Sequence, residues 1–142
     1  MGAWNPWRAL RARDHIDFFL APLPFQLRAV LWPRGERSAI VIDPSLTRQE
    51  RSAALAHELV HDERGGGCGC PEDAPPAWRP VAVREERAVS REVARRLLPV
   101  GPLMAFVAAR VEAGDSVTPA TVAEEFDTTE DVARVALVLL GR

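Results

Sequence analysis

Hydrophobic positions recur three and four apart over much of this chain, with a shorter stretch of strand-like runs near its start. Leu55 with Leu59, and Ala56 with Val60, form an apolar stripe of the kind a helix buries against a core. Thr47 and Glu50 make a T-x-x-E capping box before it, and Gly65 to Gly67 follow it, so a helix is expected over Arg48 to Arg64. A second helical pattern runs from Val83 to Leu98 and stops before Pro99. Further on, Leu103 to Ala113 predicts a helix, Thr118-Pro119 opens a short one to Phe126, and Thr128 with Asp131 opens another to Leu140. Upstream, Pro6 to Leu20 reads as a helix ended by Pro22 and Pro24. Phe25 to Trp32 and Ser38 to Asp43 read as strands joined in a hairpin by Pro33-Arg34-Gly35-Glu36. The Gly- and Pro-rich stretch from Gly65 to Pro80 predicts a loop that walls a cleft, with Trp78 either anchoring it to the core or contacting substrate. The pattern as a whole is α+β, a short antiparallel sheet packed on helices, in a single domain 1–142 with a core of 1–99 and a C-terminal helical extension of 100–142.

The second half of the capped helix carries His57-Glu58-Leu59-Val60-His61, an HExxH run. Residues four apart stand on one helix face, roughly 6 Å apart along the axis, so both imidazoles can reach one ion. Glu58 then sits beside the metal, where a carboxylate can act as general base on water whose pKa the ion lowers toward about 7. His57 and His61 are therefore metal-ligand candidates, Glu58 is the catalytic candidate, and the implied cofactor is Zn²⁺. A catalytic zinc needs a third protein ligand. Arg64 and Gly67 stand where HExxHxxGxxH would place glycine and a third histidine, which excludes that class. Two other sources remain. One is the helix of Val83 to Leu98, which holds Glu85, Glu86 and Glu92 among arginines at i, i+3 and i+4 spacings suited to a solvated face. The other is Cys68 or Cys70, in the glycine-rich loop just past the motif, although two cysteines one glycine apart read more simply as reduced thiols of the loop or as a strained disulfide.

The run from Glu86 through Ala88, Val89 and Ser90 to Leu97-Leu98-Pro99 resembles the second motif of the ImmA/IrrE-type metallo-endopeptidases, a glutamate followed by small and apolar positions ending near a proline. Ile40-Val41-Ile42-Asp43, leading through Ala54-Leu55-Ala56 into the histidine motif, is similar to the same family, so the resemblance spans about Ser38 to Pro99. It implies a small zincin-like metallopeptidase fold in which Glu86 is the third zinc ligand. Ser90 stands where the family commonly has Asn or Asp, and Glu92 stands at a usual aromatic position; a shift of one residue makes Glu85 the alternative ligand. The resemblance also implies a protein or peptide substrate, of the class of transcriptional repressors.

Composition narrows the partners. The 142 residues are 47% hydrophobic with a net charge of −2, so neither a polyanion nor a membrane surface is an expected partner. All 18 basic residues are arginine, and tyrosine is absent. Because tyrosine cannot serve as an oxyanion donor, that role would fall to His15, which also reads as a plain helix-surface residue, or to an arginine such as Arg87 or Arg91. Two short helices joined at Asp127 suggest a DNA-reading helix-turn-helix, but six carboxylates face two arginines between Asp115 and Arg142, which opposes phosphate binding. The apolar stripe of Val122, Phe126, Val132, Val135 and Leu139 is expected to pack on the domain or on a partner protein. No secretory signal is visible and the run Val135 to Leu140 is too short to span a bilayer, so a cytoplasmic location is expected. The resulting expectation is a zinc-dependent endopeptidase. Its alternatives are a metal-bound module that acts by protein-protein interaction without cutting, and a metal-free helical protein with a chance HExxH.

Overall fold

A computed structural model describes residues 3–65 and 79–142, and the fold it shows is α+β. The chain begins with helix α1 (Pro6–Arg11), started by Pro6 at its first turn and by the Asn5 side chain, which accepts from the backbone N–H groups of Trp7 and Arg8. This helix does not continue to Leu20. It ends at Ala12, and Ile16–Leu20 forms strand β1. The reason is non-local: β1 pairs in parallel with strand β3 (Arg37–Ile42), with Ile16 opposite Ser38 and Phe18 opposite Ile40, a partnership that the spacing of residues 6–20 cannot reveal.

Strand β2 (Ala29–Arg34) starts four residues later than Phe25, because Phe25 and Gln26 adopt left-handed backbone at φ 56° and 57° that turns the chain before pairing can begin. It pairs antiparallel with β3 through a tight turn in which Arg34 faces Arg37 and Gly35 takes φ +66°. The sheet is therefore mixed, not antiparallel: its order is β1-β3-β2, with β2 at an edge.

Helix α2 (Arg48–Glu63) has the expected capping box. Thr47 Oγ1 accepts from the Glu50 N–H, and the Glu50 carboxylate accepts from the Thr47 N–H at 2.9 Å. Its Leu55–Leu59 face is fully buried on the sheet with Ile40, Ile42 and Leu31. Its Ala56–Val60 face packs on Val89 and Val93 of helix α3 (Arg79–Leu97). The next layer is C-terminal. Ala94 and Leu98 pack with Leu103 of α4 (Val100–Ala113), Val122 of α5 (Pro119–Phe126), and Ala133 and Ala136 of α6 (Glu130–Leu140). α6 is capped by Thr129, one residue after the expected Thr128. The layers thus run from the sheet through α2 and α3 to the C-terminal helices, and full burial of Leu55 and Leu59 contributes about 1.5–3 kcal/mol for each.

The stripe of α5 and α6 packs on the domain itself, with Val122 fully buried and Val135 and Leu139 partly buried. At the joint between these helices Asp127 takes φ 53°, and its carboxylate accepts from Arg48 at 2.7 Å and Gln49 at 3.0 Å, tying the turn to the start of α2. No helix among the described residues is long and apolar enough to cross a membrane.

Candidate metal centre

The capping box sets where α2 begins, and the buried Leu55–Leu59 face sets its rotation, so His57 and His61 are presented together toward α3. Their Nε2 atoms lie 3.1 Å apart. Glu86 comes across from α3, with one carboxylate oxygen 3.0 Å from His57 Nε2 and the other 2.7 Å from His61 Nε2. Bonds of about 2.0–2.1 Å in tetrahedral geometry place donor atoms roughly 3.3 Å apart, and the three observed separations lie close to that. The His57, His61 and Glu86 group could hold a metal ion. His61 is nearly sealed, its side chain 4% exposed, whereas His57 and Glu86 are 29% and 42% exposed, so the donor set is open on one side.

α3 distinguishes its three glutamates. Successive helical residues point about 100° apart, so only one of Glu85 and Glu86 can face the histidines. Glu85 instead receives two hydrogen bonds from Arg64, at 2.5 and 2.9 Å, which hold its carboxyl below the usual range. Glu92 accepts from Arg96 at 2.8 Å and lies 3.8 Å from Arg95, in the i+4 and i+3 pairs of a helix surface. Glu86 is therefore the carboxylate that meets the histidines. Cys68, Cys70 and Trp78 lie outside the described residues.

Protonation favours metal binding. Burial lowers the pKa of His57, with the Glu86 carboxylate opposing and His61 adding to the effect, so the imidazole is neutral and has a lone pair for an ion at neutral pH. His61 Nδ1 is buried without a hydrogen-bond partner among the described residues. Glu58 is buried beside the histidines, and burial, reinforced by the Glu86 carboxylate, pushes its carboxyl from 4.5 up to about 7. A carboxyl poised near neutrality beside a donor set of two imidazoles and a carboxylate can take up and release a proton under physiological conditions.

His57 and Glu58 open into a cavity of about 340 Å³. Its walls include Ala54 of α2, Val93 of α3, and Val132 and Val135 of α6, and Arg28 and Asp131 bring charge to it. Arg28, Thr129, Asp131 and Val132 had no local signal marking them as cavity residues, because the starts of β2 and α6, with the residues just before them, reach the site only through tertiary packing. The expected oxyanion donors are elsewhere. His15 precedes β1 and makes a 2.8 Å hydrogen bond with Asp62, and Arg87 and Arg91 line an adjoining groove that shares Ser90 and Val135 with this cavity. Comparison with protein-family models, curated proteins and solved structures returns no match to this chain.

Proposed function

We propose that this chain is a small zincin-like zinc endopeptidase in which His57, His61 and Glu86 hold the ion and Glu58 is the general base. The convergence of two imidazole nitrogens and the Glu86 carboxylate within 3.1 Å of one another, beside a buried Glu58, is the observation that carries the reading. A bound Zn²⁺ would supply Lewis-acid chemistry, polarising a peptide carbonyl and acidifying water. Glu58 would accept the proton of the attacking water and return it to the departing amine, a cycle suited to a carboxyl that sits near neutrality. The apolar walls at Ala54, Val93 and Val132 would take a side chain flanking the scissile bond and exclude bulk water. β2 is an edge strand, and Ala29 of that strand lines the same cavity, so an extended peptide could pair with the strand's free edge and lie across the site.

The substrate class is proposed as protein or peptide, with a transcriptional repressor as the class that the ImmA/IrrE-type resemblance suggests. The test combines metal content by elemental mass spectrometry with cleavage of an unfolded protein substrate, for the parent and for Glu58→Gln. Near-stoichiometric zinc in both proteins, with cleavage only in the parent, is expected. Metal in both with equal cleavage would remove Glu58 from the mechanism. Metal without cleavage in either would favour a module that binds a regulator without cutting it.

A further inference from the structure

Adjoining the Glu58 cavity, with Ser90 and Val135 common to both, a groove of about 580 Å³ runs between α3 and α6. Its floor is apolar, with Val83, Val135, Val138 and Leu139, and Val83 and Val138 are about half exposed. Isolated exposed valines need no explanation; what sets this trough apart is that its apolar floor is banked by charge of one sign. The flanks are cationic. α3 contributes Arg87 and Arg91, four residues apart on one face, α6 contributes Arg134, and Arg142 follows its end. Among the described residues Arg87, Arg91 and Arg142 make no ion pair, and Arg134 is paired only with Asp131, at 2.9 Å. Glu86, the carboxylate in the groove wall, faces His57 and His61 instead.

We infer that this groove docks an acidic amphipathic segment of a partner protein, with an apolar stripe on Val135 and Val138 and carboxylates on the arginines of the two banks. Chemistry decides between occupants. A nucleic acid would use the arginines but has no aliphatic stripe for the trough, whereas an apolar helix without acidic flanks would leave three cations unmatched. Because Glu86 belongs to both the groove and the metal-ligand group, a docked segment would hold its neighbouring residues beside the metal centre. In its link to cleavage this inference rests on the peptidase reading, but docking itself needs no metal.

The test uses fluorescence anisotropy with a labelled peptide of about 14 residues, leucines at i, i+3, i+4 and i+7 flanked by glutamates, and a second peptide with lysines in their place. The acidic peptide is expected to bind the parent at least tenfold more tightly than the basic one. Arg91→Glu should weaken it by about two- to fivefold, the scale of a surface ion pair lost. Val138→Asp should weaken it by about tenfold with an unchanged thermal midpoint, since Val138 is already 52% exposed. His57→Ala should bind the acidic peptide as the parent does even if zinc is lost, which separates failure of docking from failure of the metal site. Equal binding of the two peptides, or indifference to both groove variants, would overturn the inference. So would binding of single-stranded DNA with the same sensitivity to Arg91→Glu, or a self-association that Val138→Asp abolishes while no peptide binds.

Discussion

Replacing Glu58 by glutamine measures what it costs the metal-free fold to hold a buried carboxyl at the centre of the site. Glu58 is 9% exposed, and its carboxyl is pushed from 4.5 up to about 7 by burial and then by Glu86. The unfolded chain ionises this group near its ordinary value, so between about 4.5 and about 7 the folded protein retains a proton that the unfolded protein has released. The folded pKa of an acid is raised here, so stability falls as pH rises through that window, at up to about 1.4 kcal/mol per unit. Between pH 5 and pH 8 the loss comes to about 2.5 kcal/mol. Glutamine has nearly the same shape and no charge to bury, so the variant should escape that loss. The assay is urea denaturation of chelator-treated parent and Glu58→Gln at both pH values. The variant's stability relative to the parent should rise by about 2.5 kcal/mol on going to pH 8. The difference between proteins is the quantity to read, because His57, whose pKa burial lowers, adds a slope of opposite sign to both. A rise smaller than about 1 kcal/mol would refute the buried, uncompensated carboxyl. Zinc should shrink the gap, since a cation beside Glu58 favours its ionised form.

His57→Ala should abolish zinc binding and Glu86→Ala should weaken it more than about a hundredfold, beyond the usual loss from an outer-shell change; Glu85→Ala should leave it intact because that carboxylate serves Arg64. Chelator competition read by elemental mass spectrometry checks all three. Leu59→Ala should cost about 2–5 kcal/mol in urea denaturation, because Leu59 is fully buried between α2 and the sheet. Hydrogen bonds from Arg96 hold the Glu63 carboxyl below its ordinary value, so its contribution is present above pH about 4.5 and is lost as pH falls through the lowered value. Glu63→Gln should therefore cost about 1 kcal/mol at pH 7 and little at pH 3 in urea denaturation.

Much of this architecture follows from local signals. The capping box places the start of α2 to the residue, Pro99 marks the end of α3, and Thr118-Pro119 starts α5. The misreadings lie where long-range pairing decides. Ile16 to Leu20 has apolar residues that suit either a helix or a strand, and the open parallel edge of β3 decided it. Phe25 and Gln26 look strand-forming but occupy left-handed backbone. At the site, the two histidines and Glu58 are legible because one helix holds them. The family resemblance names Glu86 with Glu85 as the alternative, and what separates the two in the fold is the pairing of Glu85 with Arg64, the cap residue of α2.

α6 connects the C-terminal helices to the chemistry. Val132 packs against both the α2–α3 cluster and the cluster between α3 and the C-terminal helices, and it also lines the cavity that holds His57 and Glu58. The donor atoms themselves stand on α2 and α3, which meet through Ala56, Val60, Val89 and Val93. In the proposed reading, binding the ion and shaping the cleft thus fall to different elements, and Val132→Ala can separate them. Removing two methyl-sized groups from a half-buried wall should cost about 1 kcal/mol of stability and widen the cavity. Zinc affinity should stay within about twofold, while peptide libraries should show larger side chains accepted beside the scissile bond. A loss of zinc affinity comparable to that of Glu86→Ala would mean that α6 holds the ligand helices in register, and the C-terminal helices would then support the metal itself as well as the wall of the cleft.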